Sequence, residues 1–231
     1  MKISVCMAVY NGEKYIEEQI KSILPQLDQK DELIISDDKS TDGTISIIEK
    51  FQDNRIKIYS SNGGSIIKNF ENALNNATGE IIFLSDQDDI WYPNKVRISR
   101  KYLETNDLIF SNASVFSKNK NKNKLLYKNG SKKTGFVKNF IKNNYIGATM
   151  AFNQKILTKA LPFPSNIYMH DAWLASIAEI MAKTHYIDEP LIYYRRHGEN
   201  ASETGEKSTN TIKTKIKIRL KLGLCLLSRL L

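Results

Sequence analysis

The chain has 231 residues, 41% of them hydrophobic and 26% charged, with only 11 Gly and 5 Pro. That is enough for one large domain, or one with an appendage, to bury a core, and it excludes collagen-like and linker-dominated chains. The net charge of +9 is uneven: nine lysines in residues 117–142 and five lysines with two arginines in 207–231, neither stretch holding an acid, leave −7 for the rest.

A nucleic-acid binder spreads its basic footprint over the folded surface. Here an acidic body with two cationic attachments is expected, and no nucleic-acid partner. Cys6 and Cys225 form no CxxC, so two reduced thiols are expected rather than a disulfide framework or a zinc site. No run approaches the roughly 20 apolar residues of a membrane span. The apolar run at 1–10 stops at Asn11 without the cleavage pattern of a signal peptide.

Residues 3–9 have the length and apolarity of a buried strand. Asn11 offers an N-cap, with Glu13 in the first turn, to a helix whose Ile16, Ile20, Ile23 and Leu24 repeat until Pro25. A second strand is predicted at 33–36, then a helix capped by Ser40 or Thr41 with Ile47, Ile48 and Phe51 on one face. A third strand at 56–59 leads through a Gly63-Gly64 turn to a helix over 66–77. A fourth strand follows at 81–84, and Pro93 can open the next helix at its first position. This alternation implies an α/β protein whose mostly parallel sheet is covered on both faces. Past Leu103 the rhythm loosens. Two short strands, 108–110 and 114–116, are expected around a turn, then a lysine-asparagine surface loop over 117–133. Strands at 146–152, 185–187 and 191–194 and a helix over His170–Met181 complete the body.

In such sheets ligands bind beyond the carboxyl ends of the strands. The residues there are Tyr10-Asn11, Asp37-Asp38, Asn62-Gly63-Gly64 and Asp86-Gln87-Asp88-Asp89. Five carboxylates on one edge repel one another, and a bound cation or hydrogen-bond donors on a ligand would relieve them. The strongest signal is the apolar strand that delivers Asp86-Gln87-Asp88 into a turn closed by Trp91. Oxygen ligands on a turn suit a hard divalent cation that keeps positions open for phosphate oxygens.

Three stretches resemble the consecutive signatures of the large inverting family 2 of nucleotide-sugar glycosyltransferases. They are Val5-Cys6-Met7-Ala8-Val9-Tyr10-Asn11-Gly12, Ser36-Asp37-Asp38-Lys39-Ser40-Thr41-Asp42-Gly43-Thr44 and Leu84-Ser85-Asp86-Gln87-Asp88-Asp89. The Ser85-Asp86-Gln87-Asp88-Asp89-Ile90-Trp91 form, with Tyr194-Arg195-Arg196-His197-Gly198-Glu199-Asn200-Ala201-Ser202 near the end, resembles the bacterial rhamnosyltransferase-like branch. The resemblance runs over about residues 2–202 and implies a GT-A fold. It divides the chain into a nucleotide-sugar-binding half (1–105), an acceptor-binding and catalytic half of the same domain (106–202) and a basic tail (203–231). It also implies that Ala8, Tyr10 and Glu13 line the nucleotide pocket and that Asp38, or its neighbour Asp37, accepts from the pyrimidine ring. Lys68 would approach the base, Asp86, with Gln87 beside it, would meet the ribose, and Asp88 would bind a divalent cation, Mn2+ or Mg2+. Asp171, at the start of its helix, is the implied general base. His197 is a candidate metal ligand, and Arg195 and Arg196 would face phosphate. The Gln-x-x-Arg-Trp pattern of processive synthases is absent, which favours a single sugar addition.

The expected partners are therefore a dTDP- or UDP-linked sugar donor and a glycan acceptor, free or lipid-linked, with a cytoplasmic enzyme peripheral on the inner face of the cell membrane. The tail supports that placement. Ile212, Ile216, Leu220, Gly223, Leu224 and Leu227 follow helical spacing beside Lys213, Lys217 and Lys221, and such a helix lies on an anionic membrane surface. Two other readings stay open, a sugar nucleotidyltransferase and a basic adaptor without catalysis.

Overall fold

Alternation along the first strand decides where the two cores lie. The computed structural model describes residues 1–116, 124–127, 134–141, 143–197 and 211–230. β1 (Ile3–Val9) is buried throughout. Ile3, Val5, Met7 and Val9 face one way, with Ile16, Ile20 and Ile23 of α1 (Ile16–Ile23). Cys6 and Ala8 face the other way, among Phe70, Ala73 and Leu74 of α3 (Ile66–Asn75). Period two on the strand meets helical period on each side, which is how one sheet acquires two cores.

β2 (Glu32–Asp37), β3 (Ile56–Ser60) and β4 (Ile81–Asp86) pair in parallel in the order β3-β2-β1-β4, with α2 (Thr44–Glu49) between β2 and β3. The sheet then turns mixed, continuing as β8-β6-β9-β5. These later elements are β5 (Ile90–Trp91), α4 (Lys95–Leu103), β6 (Leu108–Phe116), β7 (Lys124–Leu125), α5 (Phe136–Ile141), β8 (Met150–Asn153), α6 (Gln154–Ala160), α7 (His170–Met181), β9 (Thr184–Arg195) and α8 (Ile212–Leu230). β8 runs antiparallel to β4, so its leading end lies at the carboxyl end of β4. β6 runs antiparallel to β8, and β9 parallel to β6, so Phe116 and Arg195 reach that same edge. One edge therefore collects the carboxyl ends of six strands, β1–β4, β6 and β9, and the leading ends of β5, β7 and β8, and this is where the site forms.

Several expectations are corrected. The two short strands at 108–110 and 114–116 are one, β6, because Ser111, Asn112 and Ser114 are buried rather than turned out, with register shifts against β9 in place of a turn. Likewise 185–187 and 191–194 belong to the single strand β9. Residues 147–149 form a 3-10 turn ahead of β8. Asn11 is not a helix cap: it has a φ of 45° and its side chain accepts from the Thr41 N–H at 2.8 Å. Neither Ser40 nor Thr41 caps α2, whose leading Thr44 N–H is taken by Asp42 at 3.0 Å. α4 begins at Lys95, two residues after Pro93. Of the loop expected over 117–133 only β7 and the two residues after it are described; the rest, with residues 198–210, lies outside the described residues.

α8 lies against the body. Leu222 and Leu226 enter the core beside Trp173, and Arg229 donates to the carbonyls of Lys159, Leu161 and Pro162. Gly223 faces Phe140, not the exposed stripe in which the sequence set it. Among the described residues no helix is long and apolar enough to cross a membrane.

The connection into β4 depends on one glycine. A Cβ on Gly79 would stand 2.5 Å from the Ser4 nitrogen and 2.7 Å from the Ile3 carbonyl carbon. Both are backbone atoms of a central strand and cannot step aside. Gly79→Ala is expected to destabilise the fold by about 3 kcal/mol, read as a lowered urea midpoint with unchanged slope.

Candidate active site

β4 delivers the acidic motif to the edge, and pairing of β5 with β9 brings its partners across more than a hundred residues of chain. Ile90 stands opposite Tyr193 and Trp91 opposite Ile192. That register sets the segment after β9 beside the Asp88-Asp89 turn. His197 Nε2 lies 2.7 Å from Asp88 Oδ2, its ring stacked on Tyr15 at 4.7 Å. The Arg195 N–H donates to Asp89 Oδ1 at 2.9 Å. The Arg195 guanidinium, expected to face phosphate, is engaged by the protein: it donates to the Asp88 carbonyl at 2.7 Å and to Glu18 at 2.6 Å, over the ring of Phe116. It acts as a clamp on the motif. Arg196 is half-buried at the same edge, its N–H on the Phe116 carbonyl. Gln19, buried on α1, fixes the end of β4 by donating to Ser85 Oγ at 2.7 Å and to the Asp86 carbonyl at 3.0 Å.

The end of β2 separates the two neighbouring aspartates. Asp37 closes its own turn, accepting from the Ser40 N–H and hydroxyl, which is bonded at 2.5 Å. Asp38 keeps one oxygen in reserve: Oδ2 receives the Gly64 N–H at 3.4 Å, while Oδ1 is buried with no hydrogen-bond partner. Gly63 and Gly64, with φ of 84° and 107°, turn the chain in the left-handed region beside it. A buried acceptor without a donor is costly, so of the two aspartates Asp38 is the one with an oxygen left to accept a further N–H.

Tyr10 is 56% exposed after β1, and Ala8 lies within the buried run that Val9 ends. The Gln87 amide grips the Tyr10 backbone at both ends, accepting from its N–H and donating to its carbonyl, each at 2.9 Å. A Cβ on Gly12 would stand 2.5 Å from Gln87 Oε1, so glycine is what admits this brace. Glu13 accepts from the Gly43 N–H at 2.8 Å and thus braces the start of α2. Lys68 is exposed on the first turn of α3, whose Ser65 cap accepts its N–H at 3.2 Å. Its neighbour Asn69 is buried, donating to the Val9 carbonyl and leaving Oδ1 without a partner.

Asp171 opens α7 and is buried. It accepts from the Ala172 N–H at 2.6 Å and from the Gly147 N–H at 3.3 Å, Gly147 being in the turn ahead of β8. Burial raises its pKa to about 6, against the pull of those N–H groups. Asp86 is pushed up to about 7 by burial, then by the charges of Asp88 and Asp171, with Lys95 opposing. Asp89 is also raised, by burial and then by Asp88 and Asp86. Lys95 is their buried counter-charge. Its ammonium donates to the Ala148 carbonyl at 2.6 Å and lies 4.2 Å from the Trp91 ring centre, and burial lowers its pKa to about 7. His170 stacks on Phe70 at 4.0 Å, and burial lowers it to about 3, so it is neutral at physiological pH.

Thus Asp38, Asp86, Asp88, His197 and Asp171 converge on one edge. Glu13, Gln87 and Arg195 stand one step back, as braces. Among the described residues no group of three or more His, Cys, Asp or Glu could hold a metal unaided. The Asp88–His197 pair fits a divalent cation that draws its other ligands from diphosphate and water, as a carboxylate oxygen and an imidazole are suitable donors. Nothing local marks Lys95 or Glu18 as part of this edge, whereas Gln19 carries a signal, since a glutamine between Ile16, Ile20 and Ile23 is out of place on an apolar stripe.

The glycosyl transferase family 2 model matches residues 4–161. The dTDP-rhamnosyl transferase RfbG of Shigella flexneri is 34% identical over 215 residues, covering 84% of this chain and 72% of that protein. The fold is GT-A. The Staphylococcus aureus TarS fragment 1-349 in complex with UDP-GlcNAc superposes with a TM-score of 0.72 at 20% identity, over 98% of this chain and 67% of that one. A mannosyltransferase from Pyrobaculum calidifontis, in complex with GDP-Man and Mn2+, superposes with a TM-score of 0.59 at 22% identity, over 81% and 54%. On the family model that matches most of its length and on the RfbG relative, the chain belongs to glycosyl transferase family 2.

Proposed function

We propose that the protein is an inverting glycosyltransferase that moves one sugar, rhamnose or another hexose, from a dTDP- or UDP-linked donor to a hydroxyl of a growing bacterial cell-surface glycan. The observation that carries this reading is Asp171, a buried carboxylate lifted to about 6 beside Asp86 on the edge where the nucleotide motifs end. Such a group is ionised at neutral pH yet basic enough to take a hydroxyl proton. Asp171 accepts the acceptor's proton as that oxygen bonds to the anomeric carbon. The bond from that carbon to the diphosphate oxygen breaks on the opposite face, and the nucleoside diphosphate leaves with the electron pair. Asp38 Oδ1 takes the pyrimidine N–H, Tyr10 offers its exposed ring to the base, and Asp86 meets the ribose. A divalent cation, Mn2+ or Mg2+, held by Asp88 and His197 would supply stabilisation of charge on the leaving diphosphate. Rhamnose as the sugar is favoured by the likeness to RfbG. The same reading puts the enzyme at the inner face of the cell membrane, where a glycan built on a lipid carrier is met.

Incubation with dTDP-rhamnose and UDP-hexoses tests the reading, since transfer releases a nucleoside diphosphate. Release of pyrophosphate from a nucleoside triphosphate instead would make the protein a nucleotidyltransferase. Asp38→Ala is expected to weaken dTDP or UDP binding about tenfold, the scale of one charge-assisted hydrogen bond, in calorimetric titration. Unchanged affinity would remove Asp38 from the base site.

A further inference from the structure

α8 is held to the body by one side only. Leu222 and Leu226 are buried, and a Cβ on Gly223 would come within 3.5 Å of the Phe140 ring of α5. The side turned away presents Ile212, Ile216, Leu220, Leu224 and Leu227, exposed by 78, 55, 64, 68 and 60%. At about 1.5 Å per residue this stripe runs roughly 22 Å. α5 widens it with Val137 and Ile141, exposed by 68 and 71%, and Arg219 Nε joins the two helices at the Ile141 carbonyl, 3.4 Å away. Scattered exposed leucines are ordinary, but a continuous apolar stripe marks an interface.

Charge identifies the occupant. Along the stripe's other flank run Lys213, Lys217 and Lys221, all exposed, and neither α5 nor α8 contains an acid. Pairing with a second copy would set lysine rows against each other with no carboxylate on either helix to offset them. An anionic lipid surface meets both features, since acyl boundary accepts the stripe and headgroups accept the lysines. α8 also leans on α7, the helix that Asp171 opens, with the Arg229 guanidinium 5.6 Å from the Trp173 ring centre.

We propose that α5 and α8 together form the face by which the enzyme lies on an anionic bilayer. The inference rests on the glycosyltransferase reading only for its purpose, bringing the base helix near a lipid-linked acceptor. The test is sedimentation with phosphatidylglycerol–phosphatidylcholine vesicles and with phosphatidylcholine vesicles alone, each at low and high salt. The protein should pellet with the anionic vesicles and be released by salt. Two variants divide the face: Leu220→Glu with Leu224→Glu, and Lys213→Gln with Lys217→Gln and Lys221→Gln. All five side chains are exposed, so the thermal midpoint and UDP or dTDP affinity should not change. Vesicle affinity should fall about a hundredfold in the lysine variant, from three basic residues, and at least about tenfold in the leucine variant. Equal pelleting of either variant with wild type, equal pelleting with neutral vesicles, or a dimer in sedimentation equilibrium that Leu220→Glu/Leu224→Glu dissolves would overturn the proposal. Normal vesicle binding by a protein that binds no nucleotide-sugar would overturn the proposed reaction and leave this face standing.

Discussion

Asp171→Asn is expected to lower turnover by at least about two decades and to make the protein more stable at neutral pH. Loss of a positioned base has that kinetic size. Donor affinity should stay within about threefold, because the change removes a group needed by the acceptor's proton rather than by the nucleotide. The stability gain follows from linkage. The folded pKa of Asp171, about 6, stands above the ordinary 3.8, so the fold favours the protonated carboxyl. That preference is fully present below about pH 4 and is lost as pH rises through 6. Above it, holding the ionised group costs about 3 kcal/mol, at 1.36 kcal/mol per pH unit. Asparagine carries no such charge. It does offer one acceptor where Asp171 uses two, for the N–H groups of Ala172 and Gly147, and one lost hydrogen bond offsets about 1 kcal/mol. The net gain is about 2 kcal/mol at pH 8, shrinking toward pH 4, measurable by urea unfolding across that range. The same titration sets the activity: wild-type kcat should rise through pH 6, and the residual activity of the variant should lack that limb. A variant with near-normal turnover would remove Asp171 from the base role.

The parallel half of the fold was legible because its strands are uninterrupted apolar runs and its helices have one apolar side. The two long strands of the other half were not. Ser111, Asn112 and Ser114 look like a turn, yet they are buried in β6, with Asn112 bonded to the backbone of Tyr127 on both sides. A buried polar strand is stable only through such partners, and nothing local announces them. The acidic edge was legible as chemistry, since Asp86 to Asp89 follow an apolar strand. What each residue does there was not. Asp37 and Asp38 are adjacent and chemically alike, and only the Ser40 contacts show that one closes a turn while the other keeps an unpaired oxygen. Arg195 and Glu18 are far apart in sequence, and their pairing depends on a β5–β9 register fixed by the whole sheet.

Asp88→Ala is expected to abolish the gain in donor affinity that manganese brings. The residue has two attachments with different consequences. Its carbonyl is held by Arg195 Nε at 2.7 Å, and alanine keeps that carbonyl, so the turn and the Asp89–Arg195 contact survive. Its carboxylate meets His197 Nε2 at 2.7 Å, and alanine removes it, leaving an imidazole as the remaining one of the two proposed ligands. A lone imidazole is a poor site for a hard cation beside diphosphate. Without metal the sign reverses: Asp88 is one of the charges that push Asp86 up to about 7, and its removal lessens the repulsion a diphosphate meets. Titration of UDP or dTDP into wild type should therefore show affinity rising at least about tenfold on adding manganese. In Asp88→Ala the affinity should be the same with and without manganese, and no weaker than that of metal-free wild type. His197→Ala should keep part of the manganese effect, since the carboxylate remains. A full manganese response in Asp88→Ala would show that the cation is held elsewhere on the edge.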